Sequence, residues 1–370
     1  MKDRRHKIFS LTILVIFSLP LFLSRCASGP EPVESILDSP ESHVFNGFKF
    51  IKKNRMEDAM REFDRALIHN SQNSPANRGL GLVYGIRGEF RTAFESMGRA
   101  LENAKKDEDK AYAYVGFMRL HIMKKGEGWL KEVEGFFQLA DSIMKDITEG
   151  YYYLGLAYKY GYQFTLAEKN FKKVLAIDQS FVTEAQEQIK ILKKIEKATP
   201  LSEFGRKLVV KDSITKAEAA ALFINELGLD RIYENIVPKT YLPITTPVDA
   251  IDHPLRKDIE RVLQMNIEGL RPFLDGTFGP DSPVTRANFA MMTADIIATV
   301  EKNPSLTTEY FGKISPFMDI RNDTIYFNAI MICTERNGIM GPANGFFAPM
   351  VRVSGVDAVL IIKKLKQSLK

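Results

Sequence analysis

Thr285, Arg286 and Asn288 open an apolar run (Phe289, Met291, Met292, Ile296, Ile297) directly after the loop Gly279-Pro280-Asp281-Ser282-Pro283. That loop is too rich in Gly and Pro to be helix or central strand. Thr285 is placed to cap the helix that follows, its hydroxyl accepting from amides of the first turn. A loop forced against a helix start leaves backbone amides and the Arg286 guanidinium at one spot, a corner suited to a carboxylate or another oxyanion. A guanidinium holds a carboxylate through two parallel hydrogen bonds, which a lysine ammonium does not. The plainer alternative is a capped surface helix with no ligand.

No comparable constellation points to catalysis. The five histidines, His6, His43, His69, His121 and His253, show no metal-ligand spacing with one another or with a cysteine. There is no Gly-x-Ser-x-Gly elbow and no Gly-x-x-x-x-Gly-Lys phosphate loop. Carboxylate pairs such as Glu57/Asp58 read as solvated helix faces. The chain is therefore expected to be no enzyme, with no metal and no cofactor. Its formal charge of +5 is also misleading, because residues 1–25 alone contribute +4. A near-neutral remainder gives no support for nucleic-acid binding.

The corner recurs. Gly276, Pro280 and Thr285 are spaced by four and five residues, as are Gly345, Pro349 and Ser354. A worn copy begins at Thr215-Lys216-Ala217-Glu218, so that Thr215, Thr285 and Ser354 lie 70 and 69 residues apart. A fixed period implies a repeated structural unit. The pattern resembles the S-layer homology repeat over about residues 203–370. The last copy matches through Phe317-Met318-Asp319-Ile320, Asn337-Gly338-Ile339-Met340-Gly341 and Asn344-Gly345-Phe346-Phe347-Ala348-Pro349. The middle copy matches through Asp249, Ile267, Gly269, Asp275-Gly276-Thr277-Phe278-Gly279-Pro280 and Thr285-Arg286-Ala287-Asn288. The motif's arginine is kept only at Arg286; Lys216 and Gly355 stand in the other two copies. The resemblance implies three repeats packed as one unit, with grooves that hold acidic cell-wall glycan or peptidoglycan-linked polymer. Carried over residue by residue, the glycan contacts would be Thr285, Arg286 and Asn288, with Thr215, Lys216 and Glu218 in the first copy, and Gly269, Asp275 and Gly276 shaping the first groove.

From His43 to Lys197 the chain reads as helix throughout, with Pro75 its one proline. Gly47, Gly81, Gly116 and Gly155 mark a period, with steps of 34, 35 and 39. Twelve residues on come Ala59, Ala93 and Ala167; sixteen on, Phe63, Met97 and Phe171; nineteen on, Ala66, Ala100 and Val174. Small residues at these points let two helices cross closely while the large ones fill the gap. The pattern resembles the tetratricopeptide repeat. The third copy is distorted, with Gly126-Glu127-Gly128-Trp129 at its turn, and the helix from Thr183 to Lys197 is expected to close the solenoid.

Such solenoids take extended peptides on a concave face. By the family's register that face holds Phe48, Lys52, Arg78, Leu82, Phe117, His121, Tyr152, Leu156 and Lys159. Apolar residues follow the repeat glycines where carboxylate-clamping members place Asn, so an apolar groove with a basic edge is expected. The alternative is that these side chains pack against a neighbouring unit.

The N-terminus has a basic head, an apolar run from Ile8 to Leu23 and then Cys26. It resembles a bacterial lipoprotein signal, although Arg25 stands where a small residue is usual; Cys26 would be lipidated. Cys333, in the apolar stretch Ile330-Met331-Ile332, reads as a core residue.

The expectation is an all-α chain: export signal 1–25, flexible tether 26–42, tetratricopeptide-like solenoid 43–197 and three-repeat unit 198–370. It would act in the cell envelope, held to the membrane through Cys26. The solenoid would recruit an envelope protein or peptide and the C-terminal repeats would bind wall polysaccharide or peptidoglycan. The rival reading is an assembly or secretion accessory lipoprotein in which both repeat regions bind protein.

Overall fold

The computed structural model describes residues 38–234, 245–336, 338–341 and 345–369. The export run, Cys26, Asn337 and Asn344 lie outside the described residues. Those described are all-α, with two isolated bridges, Thr215 to Pro283 and Thr285 to Arg352, in place of any strand.

Four antiparallel helix hairpins come first: α1 (Pro40–Lys52) with α2 (Met56–His69), α3 (Ser74–Ile86) with α4 (Phe90–Glu102), α5 (Asp107–Lys124) with α6 (Trp129–Ile143), and α7 (Thr148–Tyr160) with α8 (Phe164–Ile177). Helix α1 begins inside the stretch expected to be tether. Pro40 is pre-set for the first helical turn, and the Ser39 hydroxyl accepts from the Ser42 amide at 3.2 Å. The first helices of successive hairpins touch one another and line the inner face of the stack.

The sixteen-residue offset has a direct steric cause. A Cβ built on Gly47 would lie 2.4 Å from the Phe63 ring, and one on Gly155 would lie 2.7 Å from the Phe171 ring. Only a bare Cα lets each ring fill the seam of its hairpin; Phe63 and Phe171 are fully buried there. In the third hairpin Gly116 instead faces Met97 of the preceding one, its Cβ 2.4 Å from the sulfur. The extra residues of that repeat lengthen α5 to 18 residues and α6 to 15. This is a tetratricopeptide-type solenoid with one stretched unit.

Helix α9 (Val182–Ala198) does not end the structure. It packs on α8 and on the last helix of the chain, α16 (Gly355–Ser368). One apolar core runs from Tyr152 and Phe171 through Leu192 and Ile195 to Ile362 and Leu365.

The remaining helices are α10 (Glu203–Leu208), α11 (Lys216–Leu222), α12 (Leu229–Glu234), α13 (Arg256–Met265), α14 (Arg286–Val300) and α15 (Phe327–Met331). Ile214, Val284 and Val353 each precede a capping residue. The Val284 amide donates to the Ile214 carbonyl (3.0 Å), the Val353 amide to Val284 (2.9 Å), and the Ile214 amide to Val353 (3.0 Å). The ring closes on itself, so the 70- and 69-residue spacings are turns about one pseudo-threefold axis. Asp249 accepts from the amides of Phe278 and Gly279, and Asp319 from those of Phe347 and Ala348, two copies of one loop clamp.

Candidate functional site

Arg286 sits in the first turn of α14. The Thr285 hydroxyl accepts from the Asn288 amide at 3.3 Å and donates to the Asn288 side chain at 2.5 Å, which holds the helix start in place. The guanidinium lies 4.6 Å over the Phe347 ring and donates from Nε to the Phe347 carbonyl (2.8 Å) and from Nη2 to the Gly341 carbonyl (3.0 Å). Partial burial lowers its pKa, opposed by Asp357 and Asp319; an arginine so placed stays charged.

Beside it opens a groove of about 550 Å³, lined by Lys194, Lys197, Arg286, Arg352 and Lys364 against one carboxylate, Asp357. Lys194 pairs with Asp357 at 2.8 Å and Lys364 donates to the Gly338 carbonyl at 3.2 Å. Phe347, Leu360 and Ile361 supply apolar wall. Two of the five cations come from α9, outside the repeat that carries Arg286.

The backbone amides expected to point at a ligand are already used. The amides of Arg286 and Ala287 donate to the Val351 and Pro349 carbonyls, and those of Lys216 and Ala217 to Ser282 and Pro280. Each helix start is thus tied to the loop of the next repeat, so anion recognition at this corner falls to side chains.

The other two corners are closed. Lys216 is only 6% exposed; its ammonium lies 4.5 and 4.4 Å from the Phe273 and Phe278 rings and donates to the Arg271 carbonyl at 2.9 Å. Burial pushes its pKa down to about 8, with Asp249 opposing. Glu218 completes a capping box with Thr215 and also pairs with Lys211. Asp275, accepting from the Thr277 amide and hydroxyl, and Gly276, with a φ of +82°, shape the loop of this corner and not of the Arg286 groove. Gly269, with a φ of +80°, lies against α14 at Met292. At the third corner a Cβ on Gly355 would lie 1.7 Å from the Leu208 carbonyl oxygen.

No protein-family profile and no curated protein matches the chain. Among solved structures it is similar to one described as the functional characterization of Pseudomonas aeruginosa pilF. That similarity has 13% identity and a TM-score of 0.32, covering 79% of this chain and 96% of that one.

The nine residues expected on the solenoid's inner face part company. Leu82 is fully buried between hairpins with Met97 and Leu120. Tyr152 (9% exposed) stacks on Phe181 at 4.8 Å, and Lys159 (1% exposed) donates to Gln188 of α9 at 2.8 Å. Leu156 packs half-buried against the same continuous core. For the last hairpin, then, packing against a neighbouring element is the outcome. Phe117 stacks on Phe136 at 4.9 Å, with His121 tilted against the same ring.

Phe48 and Arg78 do lie together: the Arg78 guanidinium sits between the rings of Phe48 (4.6 Å) and Tyr112 (5.0 Å), and burial lowers its pKa. Lys52 is exposed at the end of α1. Arg119 continues the row, 4.7 Å over Tyr153 and 3.4 Å from Glu149. Sequence reasoning misses Tyr112, Arg119, Glu149 and Tyr153. Their signal is an arginine three residues before one repeat glycine and three after another, with tyrosines on the facing helices.

Proposed function

We propose that this chain is an exported, lipid-anchored envelope scaffold. Its Arg286 groove holds an acidic wall polymer, and the inner face of its first three hairpins holds a protein partner. The observation that carries the reading is the groove itself: five cations face one carboxylate beside an apolar wall, which fits a polymer bearing carboxylates on a sugar ring. The resemblance of residues 203–370 to S-layer homology repeats supports wall glycan as the source of that charge. Export and anchoring draw on the apolar run from Ile8 to Leu23 and on Cys26. Alternating Arg and aromatic side chains from Phe48 through Arg78 and Tyr112 to Arg119 support a peptide-binding inner face.

The test is co-sedimentation of the full chain with purified cell-wall sacculi. A hydrogen bond to a charged group contributes about 1.5–3 kcal/mol, so Arg286→Ala should weaken binding by about ten- to a hundredfold. Lys197→Ala with Lys364→Ala should weaken it further and flatten its salt dependence. Undiminished sedimentation of the Arg286→Ala protein would refute this groove. Capture of protein by both halves, with no affinity for sacculi, would instead favour an assembly or secretion accessory.

A further inference from the structure

The first hairpin brings together side chains that sequence spacing keeps apart. His43 lies in the first turns of α1 and His69 at the last residue of α2, 26 positions on. Because the two helices are antiparallel, those ends meet. The imidazole rings lie 5.7 Å apart at an interplanar angle of 19°. Asp38, just before the cap of α1, puts Oδ1 3.1 Å from His43 Nε2 and 3.9 Å from His69 Nε2. One donor atom from each of the three lies within 4.8 Å of the others.

The contact that would orient a ligand is already in place. Glu62 accepts at 2.8 Å from Nδ1 of His43, which is buried. That hydrogen bond keeps a proton on Nδ1, so Nε2, which donates to Asp38 at 3.1 Å, is the nitrogen a metal would take once its own proton is displaced, the arrangement that orients metal-ligating histidines. The other Glu62 oxygen is held by Arg65 at 3.3 Å, so this carboxylate is fixed from outside the cluster. In a tetrahedral site with bonds of about 2.0–2.1 Å, neighbouring donor atoms sit about 3.4 Å apart. The Asp38 separations of 3.1 and 3.9 Å bracket that value, and the near-parallel imidazoles would tilt toward each other to aim both Nε2 atoms at one ion.

We infer that Asp38, His43 and His69 form a binding site for a divalent cation of the zinc class, with Glu62 as the orienting partner of His43. Two imidazoles and one carboxylate favour zinc over magnesium or calcium, and among the described residues three ligands leave a fourth position for another donor. Held there, the ion would fasten the segment entering α1 to the far end of the first hairpin. Without metal the same groups form a hydrogen-bonded cluster, with His43 lying between the carboxylates of Glu62 and Asp38. Zinc must displace the Nε2 proton of each ligating histidine, so affinity should fall as pH drops and binding should release protons. Among the described residues, Asp38, Glu62 and His69 are the charged or titratable groups that face His43, and Arg65 holds Glu62.

The test is calorimetric titration of the full chain with Zn²⁺ at pH 8 and pH 6, with Co²⁺ absorption as the spectroscopic readout. One equivalent should bind, more weakly at the lower pH. His69→Ala and the exposed-site variant Asp38→Asn should each lose at least tenfold in affinity and alter the Co²⁺ spectrum. Glu62→Gln, which removes no ligand, should cost about ten- to a hundredfold. His253→Ala, far along the chain, should change nothing. Circular dichroism of each variant separates lost binding from lost folding, and Asp38→Asn changes only an exposed side chain. No Zn²⁺ uptake at pH 8, or uptake equal in wild type, His69→Ala and Asp38→Asn, would overturn the assignment.

Discussion

Gly355 decides whether the third corner of the C-terminal unit could ever carry a basic side chain. A Cβ there would lie 1.7 Å from the backbone oxygen of Leu208, whereas ordinary C···O contacts begin at about 3.3 Å. The end of α10 and the loop after it would have to retreat by about 1.6 Å. The obstacle is backbone, so no rotamer change relieves it. The same loop accepts the Gly355 amide at the Lys211 carbonyl, 2.9 Å away, and moving it breaks that bond. Overpacking of this kind costs about 1–3 kcal/mol and the lost hydrogen bond about 1 kcal/mol. Gly355→Ala should therefore destabilise the protein by about 3 kcal/mol, a fall in Tm of about 6–12 °C at the sensitivity usual for units of this size. Thermal unfolding followed by circular dichroism measures it. Gly355→Arg should be no better, and should not create a second polymer-binding groove. A Gly355→Ala protein with unchanged Tm, or a Gly355→Arg protein with enhanced sacculus binding, would refute the reasoning.

Other substitutions test other parts of the structure. Gly98, within α4 and with nothing within 4 Å of a built Cβ, should tolerate alanine, and Gly98→Ala should raise stability by about 0.5–1 kcal/mol in urea titration. Phe171→Ala empties the seam over Gly155 and should cost about 3–5 kcal/mol, read by the same titration. Tyr152→Ala should lower stability, because its ring is packed on Phe181 and is not free for a peptide; a folded protein that only loses a partner would contradict this. Lys216 has a folded pKa of about 8, below its ordinary 10.5, so between those values the unfolded state binds more protons and stability should rise with pH. In Lys216→Met that rise should disappear when unfolding is compared at pH 8 and pH 10.5.

The glycine periods are legible because their cause is local and steric: at Gly47, Gly81 and Gly155 a bare Cα lies opposite a large side chain sixteen residues on, and only Gly116, set against Met97 of the preceding hairpin, departs from it. The direction of side chains between those marks is not. Leu82 follows Gly81 by one residue, and one helical step of about 100° separates the inner face from the seam between hairpins. Its burial with Met97 and Leu120 depends on helices from the next repeat. The amides of Arg286 and Ala287 look open in sequence because their acceptors, at Val351 and Pro349, lie more than sixty residues on. The His43–His69 contact is hidden in the same way, since only the antiparallel pairing of α1 and α2 brings the two ends together.

The basic groove shows why the solenoid and the repeats should be tested as one molecule. Lys194 and Lys197 reach it from α9, the helix expected to end the solenoid, while Arg286, Arg352 and Lys364 come from the C-terminal unit. Asp357 of α16 pairs with Lys194, and Lys363 donates to the Lys197 carbonyl at 2.8 Å, so the same contacts that join the two parts also build the groove wall. Cutting the chain near residue 200 would remove two of the five cations and expose the core beneath them, including Leu192 and Ile195. A fragment beginning at 201 should then bind sacculi more weakly than the full chain, even with Arg286 intact. The shortfall should shrink when Lys194 and Lys197 are replaced by alanine in the full chain. If fragment and full chain bind equally, the α9 lysines take no part, and the groove acts through its C-terminal wall alone.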